Sequence, residues 1–582
     1  MVNNNEDARD GRARHAPDDA GPRQGTAWTS HALDTLRAGS ARARELGELA
    51  TVGLKVGART GLAYRANARG ARAVVEQRLR GGLGLASVFR IHGAAQPDTL
   101  ALVDDRQRLT YGELDARVDR LAGELAKRGI GKGAPVVIVL HNRLEVIEMQ
   151  AVATRLGGTA VSASWRSTVD ELAYVVEHSG ARALVIEADL VGPVLANRDR
   201  FARLGDNILA VAGHPPGTTS YDDLARDGMP SPIHHGAEEG AVVIYTSGTT
   251  GKPKGAVRTF GRDAHLAYLH ILAELPVRAD DRHLAVCPLY HSTAFAFATI
   301  TLLLGGTVFV EPKFEAARFF EIVARERITT TAVVPTMLHR MLQVPAATRD
   351  ARDTRSLRAI LSGGAPLSGT LARAVCEELG HVLYNFYGAT ETGINTVATP
   401  DELLRAPGTI GHAVGGNEIR ILDDEGRVVP DGATGELFVK NSMLVRYHRD
   451  DAATRASMRE GFFSVGDLAH RDQFGLFHID GRKRDMLISG GVNVYPAEIE
   501  EVLATHPAVA EVAIVGAPDA DLGEKVKAFV ALREGHAASS EELVAFARAR
   551  LSGPKIPREV VFLNELPKNP TGKILKRELR SS

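Results

Sequence analysis

The run "PVVIVL" at residues 135–140 limits the fold more than any other stretch of the chain. Six apolar residues without alternation suit a strand buried on both faces, as strands of parallel sheets are. Parallel neighbours need crossover connections, normally helices. The preceding segment supplies one: Thr110 and Glu113 have the spacing of a capping box, Leu114, Val118, Leu121 and Leu125 mark one helical face, and Gly129 stops it. Leu100–Val103 and "RLTY" read as strands around a polar turn. Strand and helix signals alternate to about residue 440, so the expected fold class is α/β, a large N-terminal domain of layered sheets flanked by helices.

The pattern changes after "GRKRDMLISGGVNVYPAEIE". A helix from Pro496, strands "AEVAIVG" and "KVKAFVAL", a helix from about Ser540 and the strand "EVVFL" make a small α+β C-terminal domain. The expected divisions are a disordered tail at 1–30, a basic helical extension at 31–89, the large domain at 90–483 and the small, mobile one at 484–582. In the extension, arginines from Arg37 to Arg80 outnumber Asp34, Glu45, Glu48 and Glu76. Such a segment can lie on an anionic membrane surface as a peripheral contact. Its scarcity of large apolar residues favours an arm packed on the main body.

The uncharged run at 292–310 is long enough to suggest a membrane span, but Gly305-Gly306 divide it into a buried helix and a strand. The polar N-terminus has no apolar signal core, and Cys287 and Cys376 are the only cysteines. Both features point to the cytoplasm. A formal net charge of -1 gives no field for nucleic acid.

Residues 244–255 read "IYTSGTTGKPKG". A Walker A loop needs glycine where Thr246 stands and a hydroxyl where Pro253 stands, so a P-loop is excluded. What remains is a glycine- and hydroxyl-rich loop suited to phosphate. Gly248 and Gly251 let the backbone approach, Thr246, Ser247, Thr249 and Thr250 add donors, and Lys254 adds charge.

The full string resembles the signature of the adenylate-forming, AMP-binding superfamily, which includes acyl-CoA synthetases and luciferases. Further segments keep the family's order from about residue 90 onward. "YNFYGATETG" resembles the segment in which Asn385, Phe386, Tyr387, Gly388, Ala389 and Thr390 would line the nucleotide. Tyr387 would stack on adenine, Thr390 would contact the α-phosphate and Glu391 would ligate Mg²⁺. In "LSGGAPLS", Gly364, Ala365 and Pro366 would border adenine. In "GFFSVGDLAH", Asp467 would take the ribose hydroxyls, with Arg482 assisting. Val465 stands where the family commonly has Thr, and Ser164 where it often has Asn. Arg484 falls at the family hinge, usually Asp or Lys, and Gly490-Gly491 would line the CoA channel. His291, in "PLYHSTAFAFA", would stand beside the acyl pocket. Lys573, in "NPTGK", would be the catalytic lysine, whereas Lys568 and Lys576 read as solvated charges.

The resemblance implies a fatty-acyl-CoA synthetase of the medium- or long-chain branch, using ATP, Mg²⁺ and coenzyme A. The apolar "STAFAFATITLLL" favours an uncharged acyl chain, and no carrier domain is expected after Lys573. The alternatives are an adenylating enzyme that loads a carrier protein and a silent acyl- or nucleotide-binding protein. In the family's chemistry a lysine neutralises charge at the α-phosphorus only in the first half-reaction. Lys573→Ala should therefore lower ATP–pyrophosphate exchange by about 10²–10³ while largely sparing thioester formation from supplied acyl-adenylate; equal losses in both assays would remove the role.

Overall fold

The computed structural model describes residues 47–65, 67–79, 85–230, 240–246, 254–259, 263–444, 446–447, 451–489, 492–519, 521–568 and 574–580. The expected tail, residues 1–30, lies outside them. Internal contacts divide the chain into Met1–Leu54, of which 47–54 are described and helical, and Lys55–Ser582.

Within Lys55–Ser582, the strand Pro135–Val139 lies parallel between Thr159–Ser162 and Ala183–Glu187 in a sheet of eight strands among the described residues. Val136 and Ile138 join Ile147 and Met149 of the helix Leu144–Arg155 in one core. Val137 and Val139 join Leu172, Val175 and Val176 of the helix Val169–Ser179 in another. The unbroken apolar run is thus explained by helices on both faces.

A second sheet, edged by the antiparallel strand Arg108–Thr110, contains six parallel strands. Their spatial order is Leu100–Val103, Thr307–Val310, Arg282–Ala285, Thr330–Val333, Ala359–Ser362 and Leu383–Ala389. It continues antiparallel through Gly393–Ala398 and Thr409–Ala413 to Phe477–Arg482 and Asp467–Arg471. The long uncharged run is a buried helix, Ser292–Leu303, feeding the strand Thr307–Val310. No helix among the described residues is long and apolar enough to cross a membrane.

The helix Tyr111–Lys127 starts as its spacing requires: Thr110 Oγ1 accepts from Glu113 N and Glu113 Oε2 accepts from Thr110 N. Its apolar face is fully buried. Tyr111 Oη donates to the carbonyls of Gly306 (2.7 Å) and Leu302 (3.2 Å), tying this helix to the end of the helix Ser292–Leu303.

Part of the basic extension packs on the same region. Arg65 Nη1 donates to Gly305 O at 2.9 Å, and Ala279 N donates to Thr60 O at 2.7 Å. In the helix Ala68–Leu79, Val75 and Leu79 stay exposed.

The small domain pairs Gly523–Leu532 with Val509–Asp519, Leu487–Ser489 and Glu559–Phe562. Leu503 of the helix Pro496–Ala504 and Leu543 of the helix Ser540–Arg548 share its core with Val512 and Val526.

Tyr111→Phe leaves the buried Gly306 carbonyl without its donor. It should destabilise the protein by about 1–2 kcal/mol, seen as a lower urea midpoint at unchanged slope.

Candidate active site

The parallel strands Ala359–Ser362 and Leu383–Ala389 run side by side, with Ser362 opposite Asn385. Ligands of α/β sheets bind beyond such carboxyl ends, and two of the expected segments leave them. Gly364 (φ +76°) and Pro366 are exposed and Ala365 is half-buried. Gly363 carries no side chain because the Phe386 ring occupies the place: a Cβ there would lie 2.4 Å from it. Phe386 also packs edge-on against Phe297 of the helix Ser292–Leu303, with ring centroids 5.1 Å apart. Asn385 Nδ2 donates to Thr409 O at 3.0 Å. The Asn385 and Phe386 side chains therefore brace the strand.

Beyond Phe386 the strand is irregular. The register shifts between Tyr387 and Gly388, and a Cβ on Gly388 would lie 2.0 Å from Gly393 O, so only glycine fits. The turn that follows carries Thr390 and Glu391. Thr392 Oγ1 locks it, accepting from Ala389 N (3.3 Å) and Asn395 Nδ2 (2.7 Å). Thr390 Oγ1 lies 3.2 Å from Ser292 Oγ, and its carbonyl accepts from Arg258 Nη2 at 2.8 Å. Glu391 is buried, 8% exposed.

Tyr387 Oη donates to Asp467 Oδ2 at 2.7 Å, and Arg482 Nε holds Asp467 Oδ1 at 3.0 Å. Asp467 and Arg482 are direct partners across an antiparallel pair. Burial, reinforced by the Asp467 charge, holds the Tyr387 phenol well above its ordinary pKa, so it remains a donor.

His291 precedes the helix Ser292–Leu303 and caps nothing. Its Nε2 is buried without a hydrogen-bond partner among the described residues, and burial pulls its pKa down to about 4, leaving a neutral ring. The Tyr290 ring lies 4.2 Å away.

Arg484 lies where the chain changes allegiance. Upstream, Arg482 is held by Asp467, and Lys483 N donates to Gly466 O while its ammonium reaches Glu436 and Asp424. Downstream, Asp485 pairs with Arg580 at 2.9 Å, and Ile488 N donates to Glu524 Oε2.

Thr246 and Lys254 pair at the end of the hairpin formed by Ala241–Thr246 and Lys254–Thr259. Ser247, Gly248, Thr249, Thr250 and Gly251 between them lie outside the described residues, as do Gly490, Gly491 and Lys573. Lys568 and Ile574, which flank Lys573 in sequence, pair antiparallel. Lys568 and Lys576, expected to be merely solvated, form ion pairs of 2.6 Å with Glu511 and Glu500.

Sequence reasoning missed Ser292, Arg258 and the direct Tyr387–Asp467 bond. Ser292 carried a signal, since it adjoins His291; Arg258, four residues after Lys254, carried none.

The family model of AMP-binding enzymes matches residues 89–447, and that of the AMP-binding enzyme C-terminal domain matches 498–573. The chain is similar to the indoleacetate–CoA ligase of Aromatoleum aromaticum, at 35% identity over 84% of this chain and 96% of the relative. It is similar to the long-chain-fatty-acid–CoA ligase FadD13 of Mycobacterium tuberculosis, at 32% identity over 81% and 93%. Among solved structures, ATP-bound MatB from Rhodopseudomonas palustris superposes with a TM-score of 0.77 at 30% identity, covering 85% of this chain and 98% of that one. The chain belongs to the AMP-binding enzyme family of adenylate-forming acid–CoA ligases, which work with ATP, Mg²⁺ and coenzyme A.

The neutral His291 gives a pH signature. Its pKa in the folded chain, about 4, lies below the ordinary 6.5, so the unfolded chain binds the extra proton between these values. The stability it contributes is complete above about pH 6.5 and is lost as pH falls toward 4. On going from pH 7 to pH 5 the wild type should lose about 2 kcal/mol more than His291→Gln in urea unfolding.

Proposed function

We propose that the protein is an AMP-forming acid–CoA ligase acting on a carboxylic acid whose chain is uncharged and apolar. The observation that carries this reading is the meeting of the Tyr387–Asp467–Arg482 cluster with the Thr390–Glu391 turn, next to a neutral His291 at the mouth of an apolar helix.

In the first half-reaction a carboxylate oxygen attacks the α-phosphorus of ATP, the bond to pyrophosphate breaks, and acyl-adenylate forms. Tyr387 would face adenine, the strand-end turn Gly364–Ala365–Pro366 would border it, and Asp467, with one oxygen on Tyr387 and the other on Arg482, would accept the ribose hydroxyls on the remaining lone pairs of those oxygens. Thr390 would donate to the α-phosphate and Lys573 would offset the charge gathering at phosphorus. A Mg²⁺ ion on Glu391 would supply further charge neutralisation there. Glu391 fits a hard cation: it is a buried carboxylate on the same turn as Thr390. The described ends of the "TSGTTGK" loop, Thr246 and Lys254, fit a loop over the phosphates.

In the second half-reaction the CoA thiol attacks the activated carbonyl, forming the thioester and releasing AMP. The change of ties on either side of Arg484 supports its role as the hinge. Rotation there would withdraw Lys573 and present Gly490-Gly491 to the thiol.

The substrate class is read from the helix Ser292–Leu303, which has no charged residue from Ser292 to Leu304 to hold an ammonium or second carboxylate. This favours a medium- or long-chain fatty acid. A compact arylalkanoic acid is the second reading. It is favoured by the Phe297–Phe386 pair, which fills space between that helix and the sheet, and by the similarity to a ligase named for indoleacetate.

An acid-dependent pyrophosphate-release screen decides between them. It would span short to long saturated acids and arylalkanoic acids, with CoA or a phosphopantetheinyl carrier protein as acceptor. We expect release with one apolar class, matched by AMP and by a CoA thioester. Transfer to the carrier alone would replace CoA as acceptor, and no release with any acid would overturn the proposal.

A further inference from the structure

We propose that Arg258 is a positioning residue for the phosphate end of the nucleotide, acting through the backbone of Thr390. The inference rests on the reading above, in which Thr390 and Glu391 receive the α-phosphate and the metal.

Arg258 belongs to the strand Lys254–Thr259, which leaves the glycine- and hydroxyl-rich loop. It stands opposite Val242 and shares a face with Val242 and Ile244. Those two residues belong to the core that also takes in Phe295 and Ala298 of the helix Ser292–Leu303. Arg258 therefore points from the eight-stranded sheet toward the place where the other sheet presents its strand-end turn. There Nη2 donates to Thr390 O at 2.8 Å, and Nη1 lies 3.6 Å from where a Cβ on Gly393 would sit. One planar guanidinium thus meets both ends of the turn that carries Thr390 and Glu391.

The contact does two physical things. First, it fixes the turn relative to the strand leaving the phosphate loop, so hydroxyls and charges from two sheets converge on one ligand. With the carbonyl of Thr390 on Arg258 and its hydroxyl beside Ser292 Oγ, both polar ends of the residue are committed to set positions. Second, it places a permanent cation beneath a turn to which ATP and a carboxylate both bring negative charge. Among the described residues Arg258 forms no ion pair, its bonded partner being the neutral Thr390 carbonyl. Its charge is therefore not spent on a neighbouring carboxylate there. A planar fork that donates to Thr390 O with one nitrogen and packs against Gly393 with the other suits this bracing better than an ammonium, which is a single point charge.

Isothermal titration of the full chain with Mg·ATP and with adenosine tests the role, because adenosine lacks the groups that reach the turn. Arg258→Gln should weaken Mg·ATP binding about 10- to 100-fold, the range for a lost charged hydrogen bond, and change adenosine binding less than about threefold. Arg258→Lys should recover part of the loss. Retained adenosine binding also reports that each variant is folded. Should Arg258→Gln not fold, Arg258→Lys alone carries the test, and unchanged Mg·ATP binding there overturns the role. Equal weakening of both ligands would make Arg258 a structural strut and likewise overturn it. Thr390→Ala separates this inference from its foundation. If Thr390→Ala weakens Mg·ATP and Arg258→Gln does not, only the role of Arg258 falls; if neither does, the assignment of the turn falls with it.

Discussion

The carboxylate of Asp467 is the contact on which the site's geometry rests. One oxygen accepts from Tyr387, at the end of a parallel strand of the main sheet. The other holds Arg482, two residues before Arg484 and the passage to the small domain. Because Asp467 is 7% exposed, both bonds act in a medium of reduced polarity, where they are stronger than on an open surface. The aromatic face expected to meet the base, the acid expected to meet the sugar and the approach to the expected hinge are thereby tied to a single side chain.

The turn beyond Tyr387 is organised differently, by exclusion of side chains. Gly388 approaches the Gly393 carbonyl so closely that no Cβ fits, and Gly363 yields its place to the Phe386 ring. These contacts let the backbone pass where larger residues would block it, and the Thr392–Asn395 bond holds the resulting shape. The Thr390 hydroxyl reaches Ser292, the residue after His291, so the turn meets the start of the helix Ser292–Leu303. Rigid scaffolding of this kind places donors before a ligand arrives, which is the condition for electrostatic stabilisation in a reaction that brings two anions together.

Much of this was legible without coordinates. The capping box at Thr110–Glu113, the buried face of Leu114, Val118, Leu121 and Leu125, the helix-then-strand reading of residues 292–310 and the order of elements after Pro496 all appear as the local pattern dictates. The family, too, was legible, because its motifs are short strings in fixed order. The fatty-acyl branch was less so. The relatives it matches include ligases named for indoleacetate and for long-chain fatty acids, and pocket shape is set by packing such as Phe297 on Phe386. Neither residue signals the other in the sequence.

By itself the sequence determined the elements and the identity of the groups that can do chemistry, because capping, periodicity, turn-forming glycines and motif strings are properties of neighbouring residues. Only the tertiary structure decided that Tyr387 bonds to Asp467, that Ser292 and Arg258 converge on Thr390, and that the ties change partners at Arg484. The Tyr387–Asp467, Ser292–Thr390, Arg258–Thr390 and Asp485–Arg580 contacts join residues from about eighty to more than a hundred positions apart. No local rule specifies them: they follow from strand order, register and the packing of helices between two sheets.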